Sequence, residues 1–110
     1  MANTFKNAFL SNVTTSYVDL YTVPSSTTGI VLGLTLCNKS SNPLDVSVQI
    51  QDTSDSNNVF QVLDTVSIPS NTTLEVMAGQ KIVLMQTDKL KLKSGTASAL
   101  DATLGIMEIT

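Results

Sequence analysis

The 110-residue sequence predicts an all-β fold: a single antiparallel β-sandwich of seven to eight short strands, immunoglobulin-like or jelly-roll-like, with an N-terminal arm. Three observations lead there. From Val18 onward, apolar and polar residues alternate with the period of two that a strand with one buried face requires. Clusters of Pro, Ser, Asn and Gly interrupt the alternation about once per strand length. No stretch after Val18 repeats its apolar residues at helical spacing. One domain with one core suits the length, and 42% hydrophobic against 14% charged residues makes that core feasible.

Residues 1–15 stand apart from the sandwich assigned to 16–110. Phe5 and Phe9 lie four apart among Asn3, Asn7 and Asn12, so the segment reads as a helical turn, a first strand or an extended arm. Ile30, Leu32, Leu34 and Leu36 then share one face of a strand, and Val31, Gly33, Thr35 and Cys37 the other. Leu44, Val46, Val48 and Ile50 alternate with Asp45, Ser47, Gln49 and Gln51, a half-buried strand with a wet outer side. Leu32, Leu34, Val46 and Val48 are expected to pack together. Leu74 and Val76, Ile82 and Leu84, Leu90 and Leu92, and finally Leu100, Ala102, Leu104 and Ile106 continue the pattern.

Turn chemistry separates these runs at Pro24–Ser26, Lys39–Pro43, Asp52–Asn58, Pro69–Asn71, Ala78–Gln80 and Ser94–Gly95. The turn after Val23 (Pro24-Ser25-Ser26-Thr27-Thr28) is echoed after Ile68 (Pro69-Ser70-Asn71-Thr72-Thr73). That echo reads either as two equivalent corners of a sandwich or as ordinary reuse of turn residues. Strict alternation through Phe60–Ile68 would bury Asp64 between Val62 and Val66. A bare buried carboxylate is costly, so a bulge near Leu63, or an edge position, is expected to release it.

Composition narrows the function. The chain has no His, Trp or Arg, and its six Lys against nine acidic residues leave a net charge of −3. The usual general base, and the commonest metal ligand, is therefore missing. So is the bidentate reader of phosphate and guanine. Ser and Thr are plentiful, 13 and 15, but a nucleophile needs a base. The lone Cys37 excludes an internal disulfide or cysteine-based zinc site and is expected to be buried and inert. The oxygen-rich loop Asp52–Asn58 lacks the ligand spacing and glycine of a calcium loop and reads as solvated. No catalytic, metal or cofactor site is expected, and neither nucleic acid nor membrane is an expected partner. The N-terminus lacks a signal-peptide core, so a soluble protein made in a reducing cytoplasm is expected.

Lys89, Lys91 and Lys93 alternate with Leu90 and Leu92 and project to one face. They read as a stripe that docks on an acidic neighbour, or as charges guarding an edge strand against unwanted pairing. With Phe5 and Phe9, which could anchor in a neighbouring subunit or fill the chain's own core, they are the candidate interaction residues.

In order along the chain, Met1-Ala2-Asn3-Thr4-Phe5-Lys6-Asn7-Ala8, Leu20-Tyr21-Thr22-Val23-Pro24, Thr28 to Leu36 leading into Asn38, Ile68-Pro69, Lys81-Ile82-Val83-Leu84 and Met107-Glu108-Ile109-Thr110 resemble short virion proteins of tailed phages, common in phages of aquatic bacteria. The chain departs at Asn71, where a Gly is associated with that turn. The resemblance implies a non-enzymatic virion component, assembled in the bacterial host cytoplasm, and carries over no site residues. It implies a capsid decoration or cement subunit contacting the major capsid protein and copies of itself, or alternatively a head–tail neck or tail accessory protein. A carbohydrate-binding module is more distant, because sugar binders present exposed aromatics and this chain has two Tyr and three Phe.

Overall fold

A computed structural model describes residues 2–53, 56–77 and 81–110. It is all-β. The strands are β1 (Asn3–Leu10), β2 (Val18–Thr22), β3 (Thr28–Asn38), β4 (Leu44–Asp52), β5 (Asn58–Ile68), β6 (Thr73–Glu75), β7 (Ile82–Leu84), β8 (Lys89–Ser94) and β9 (Leu100–Ile109). One antiparallel sheet runs β1-β9-β3-β6, with β7 also on β3, and the other runs β2-β8-β4-β5. The pairs β1·β9, β2·β8, β3·β6/β7 and β4·β5 make one long ribbon whose tip is the β4–β5 loop. Rolling that ribbon sets β9 against β3 and β8 against β4, which is the jelly-roll topology. The segment at 3–10 is therefore a strand, paired in register along β9.

The core lies between the sheets. Leu34, Leu36, Leu104 and Ile106 from one meet Val46, Val48, Leu90 and Leu92 from the other, all at most 1% exposed. The expected inner sets of β4, β8 and β9 hold. That of β3 does not. Val31 pairs with Ile106 and Gly33 with Gly105, leaving Leu32 as an extra, unpaired residue. This bulge shifts the alternation by one, so Val31 is buried and Leu32 turns outward, 38% exposed. Leu34→Ala should cost about 2–5 kcal/mol, whereas Leu32→Ala should cost under about 1 kcal/mol. Thermal melts of the two variants check this, and equal losses would show that the bulge is misplaced.

Cys37 follows the outer set of β3 and is half-buried there, not in the core. Its neighbour in register on β9 is Asp101, on the same outer face. A second bulge, at Leu20, turns both Leu20 and Tyr21 inward. Gly29 makes room chiefly for Ile106, whose Cδ1 a Cβ there would meet at 3.2 Å, with Val23 and Tyr21 at 3.4 and 3.5 Å. Tyr21 donates its hydroxyl hydrogen bond to the buried carboxylate of Glu108, which Lys6 Nζ also approaches, at 3.5 Å.

Asp64 escapes burial by both routes. β5 is an edge strand, and between the pairs Val46–Val66 and Val48–Leu63 the residues Asp64 and Thr65 oppose Ser47 alone. Thr65 takes a left-handed φ of 55°, and its N–H donates to Ser47 Oγ at 3.0 Å. Ser47 was expected on a wet surface with Asp45. It is buried instead because it closes this bulge.

The sequence echo is a structural one. Ser26 and Asn71 share left-handed φ values of 55° and 53°, and Thr27 and Thr72 each donate a side-chain bond back two residues, both at 3.0 Å. The turns lead from the two edges of the β2-β8-β4-β5 sheet, β2 and β5, to the adjacent strands β3 and β6 of the other. Asn71 suits its position because Asn tolerates this conformation. The expected turn at Ala78–Gln80, and Ser54 and Asp55 of the Asp52–Asn58 loop, lie outside the described residues.

The crossing from β1 to β2 is clamped by Asp101. Its Oδ1 accepts from the Asn12 N–H and the Ser11 hydroxyl, each at 3.0 Å, with Lys39 Nζ at 3.1 Å. The Asn12 N–H, then Lys39 and Ser11, hold the Asp101 carboxyl below its usual range. Its contribution to stability is therefore present above about pH 4 and lost as pH falls through the lowered value. Burial, then Glu108, pushes the Tyr21 phenol up, so that contribution is present below about pH 10 and lost as pH rises further. Melting temperatures across pH should fall at both limits, and Asp101→Asn should flatten the acid limb alone. An unchanged acid limb would remove Asp101 as its source.

Candidate functional site

The structure places the candidate residues on opposite sides of the molecule. Lys89, Lys91 and Lys93 lie on the outer face of the β2-β8-β4-β5 sheet. β8 is an interior strand of it, so these lysines do not guard an edge. Their partners belong to the same chain. Lys89 and Lys91 Nζ stand 3.2 and 3.6 Å from the Asp19 carboxylate, and Lys93 Nζ lies 4.8 Å from the centre of the Tyr17 ring. Gln61 Nε2 donates to the Tyr17 hydroxyl at 3.1 Å. Such exposed pairs contribute about 0–1 kcal/mol each. Lys89 and Lys91 thus share one carboxylate of the same chain, and Lys93 rests on an aromatic ring.

Phe5 and Phe9 lie on the other outer face, 71% and 69% exposed. Phe5, Met107, Ile30 and Val83 stand in register across β1, β9, β3 and β7, forming an apolar row over the width of the sheet. The next row is Asn7, Gly105 and Gly33. With no side chains on the two glycines it forms a shallow trough of about 240 Å³, bordered by Phe5 and the bulged Leu32. Phe9, Thr103, Thr35 and Glu75 make the row beyond. Glu75 and Asp101, the latter paired with Lys39, lie toward the end away from the Phe5 row, and Lys6 lines the trough. Glu75 accepts from the Thr35 hydroxyl at 3.3 Å.

An exposed, contiguous apolar surface of this kind marks a contact site more often than an accident of packing. Sequence reasoning selected Phe5 and Phe9 but assigned Leu32 to the core, set Ile30 on the same strand face as Leu32, and did not select Val83 or Met107 as interaction residues. A signal was present for Leu32, because glycine within a strand run, here Gly33, commonly marks a bulge. Val83 and Met107 join the row only through the pairing of β7 and β9 with β3. Among the described residues no three His, Cys, Asp or Glu side chains are grouped as metal ligands.

No family model matches the chain, and no curated protein matches it. Solved structures similar to it share its fold. A chain of the acid-stable capsid of Helicobacter pylori bacteriophage KHP30 has a TM-score of 0.56 at 14% identity, over 100% of this chain and 89% of that one. A chain of infectious bursal disease virus, Gx strain, has a TM-score of 0.60 at 10% identity, over 96% of this chain and 32% of that one. A chain of the disulfide-linked pili of Bacillus endospore appendages has a TM-score of 0.54 at 10% identity, over 96% and 85%. This chain thus spans most of the phage and pilus chains and about a third of the bursal disease virus chain. At such identities the likeness is one of fold alone: this chain, a jelly roll by its strand order, is similar in fold to chains of two viral particles and a pilus.

Proposed function

We propose that the chain is a non-enzymatic structural subunit of a bacteriophage virion, acting as a capsid decoration or cement protein on the outside of the shell. The observation that carries this reading is the apolar outer face of the β1-β9-β3 sheet. Its likeness in fold to a phage capsid chain and to other repeated subunits supports the reading. Apolar area removed from water stabilises a contact by roughly 25 cal/mol per Å². A neutral, adhesive face laid across a seam between capsomers would thus add contact energy where internal pressure acts. The partners are the major capsid protein and further copies of this chain, and assembly takes place in the host cytoplasm. Nucleic acid and membrane are not partners of a chain with net charge −3 and no arginine.

Counting copies in purified particles by quantitative mass spectrometry tests the proposal. Hundreds of copies are expected for a decoration protein. About six to twelve would reassign it to the neck or tail, where closed rings of that size occur. Particles that lack the chain altogether would overturn the virion reading.

A further inference from the structure

We infer that β1 is a self-recognition strand, through which two copies of this chain pair edge to edge about a two-fold axis at Asn7. β1 ends its sheet, so one side of it is unpaired among the described residues. Ala2 and Thr110 exchange both of their backbone hydrogen bonds, at 3.2 and 2.9 Å, and the register along β9 runs without a shift from there to Leu10. The even-numbered residues of β1 therefore bond to β9. Asn3, Phe5, Asn7 and Phe9 direct their N–H and C=O groups to the open edge.

Of these, Phe5 and Phe9 are placed symmetrically about Asn7. In an antiparallel pair centred there, Phe5 of each copy faces Phe9 of the other, and the two Asn7 side chains meet on the axis. Directly opposed side chains in such a pair have Cβ atoms roughly 5 Å apart, and aromatic pairs are among the favourable combinations. Lys6 falls opposite Ala8. A centre one residue earlier would set Lys6 against Lys6, which like-charge repulsion disfavours, and would leave both Phe facing Asn. The register centred on Asn7 is thus favoured by both the aromatic pairing and the charge.

The available area agrees with an associating edge. A Phe side chain buries about 150–250 Å², so the four rings of a pair, each about seven-tenths exposed, offer roughly 400–700 Å². The two strand edges add to this contact, and specific interfaces typically total ~1,200–2,000 Å². A dimer of modest affinity is expected, and one continuous sheet would double the apolar outer face. The inference goes beyond the virion reading and stands apart from it: particles lacking the protein would overturn that reading only, and the following measurement on the purified chain bears on the dimer only.

Analytical ultracentrifugation of the full chain should show concentration-dependent dimerisation. Asn7→Lys and Asn7→Asp each place like charges on the axis and should weaken the dimer at least tenfold. Both variants should melt as the wild type does, because Asn7 is exposed and its outward N–H takes no part in the β1·β9 ladder. Mixing them brings opposite charges together and should restore association. Phe5→Ser should weaken it as well. A wild type that stays monomeric to about 500 μM would overturn the inference. So would a dimer that neither charge weakens, or a mixture that associates no better than its components.

Discussion

Replacing Asn38 by Leu is expected to lower the melting temperature by on the order of 15 °C or more, following a loss of roughly 3–5 kcal/mol. Asn38 is fully buried at the end of β3. Its Nδ2 shares its two hydrogens among the carbonyls of Asn42, Ile68 and Pro69, at 2.9, 3.0 and 3.1 Å. Its Oδ1 accepts from the backbone N–H and hydroxyl of Ser40 at 2.9 and 2.8 Å. One side chain thus ties the β3–β4 loop to the β5–β6 turn. Leu would match its size but leave these partly buried groups without their partner, and each unmade bond costs about 1–3 kcal/mol. Asn38→Asp should be worse at neutral pH, because a carboxylate would face three carbonyl oxygens, and should partly recover as the pH falls and the carboxyl is protonated. A melting temperature within about two degrees of the wild type for Asn38→Leu would show that the hub is dispensable. Domains are stable by only ~5–15 kcal/mol, so this single position carries a large share.

Deleting residues 2–11 should abolish folding to a soluble monomer. The eight paired positions of β1 cover the flank of β9, and Ala8 and Leu10 pack against the core. Without them β9 becomes a long edge strand with Ala102, Leu104 and Ile106 on its inner side, a template for aggregation. Phe5→Ser and Phe9→Ser should leave the melting temperature nearly unchanged, because both rings stand out from the sheet. Solubility and circular dichroism of the truncated chain check the first expectation, and melts of the two point variants check the second. A truncated chain that folds and melts like the wild type would make β1 a dispensable arm. The expected pair of results has a simple physical origin: the backbone and even-numbered side chains of β1 serve the fold, while its odd-numbered side chains face outward.

Much of this was legible in the sequence alone. Alternation identified β4, β8 and β9 and their inner residues, because a half-buried strand writes its two environments into successive positions. Pro, Ser and Asn marked the crossings, because only certain residues tolerate the turn conformations at Ser26 and Asn71. The misfit of Asp64 announced the β4·β5 bulge, since burial of a lone carboxylate is too costly to be the native arrangement. The bulges at Leu20 and Leu32 were not legible in the same way. An apolar residue satisfies either face of a strand locally, so nothing in Ile30–Leu36 forbids burying Leu32. Which phase prevails depends on the partner strand, and only the pairing with β9 settles it. The same holds for the functional surface. Phe5, Met107, Ile30 and Val83 come from four separate parts of the chain, and rolling the sheet aligns them. Asn38 shows the remaining limit: its type could be read, but its five bonds join the β3–β4 loop to the β5–β6 turn, two segments that only the folded chain brings within hydrogen-bonding distance.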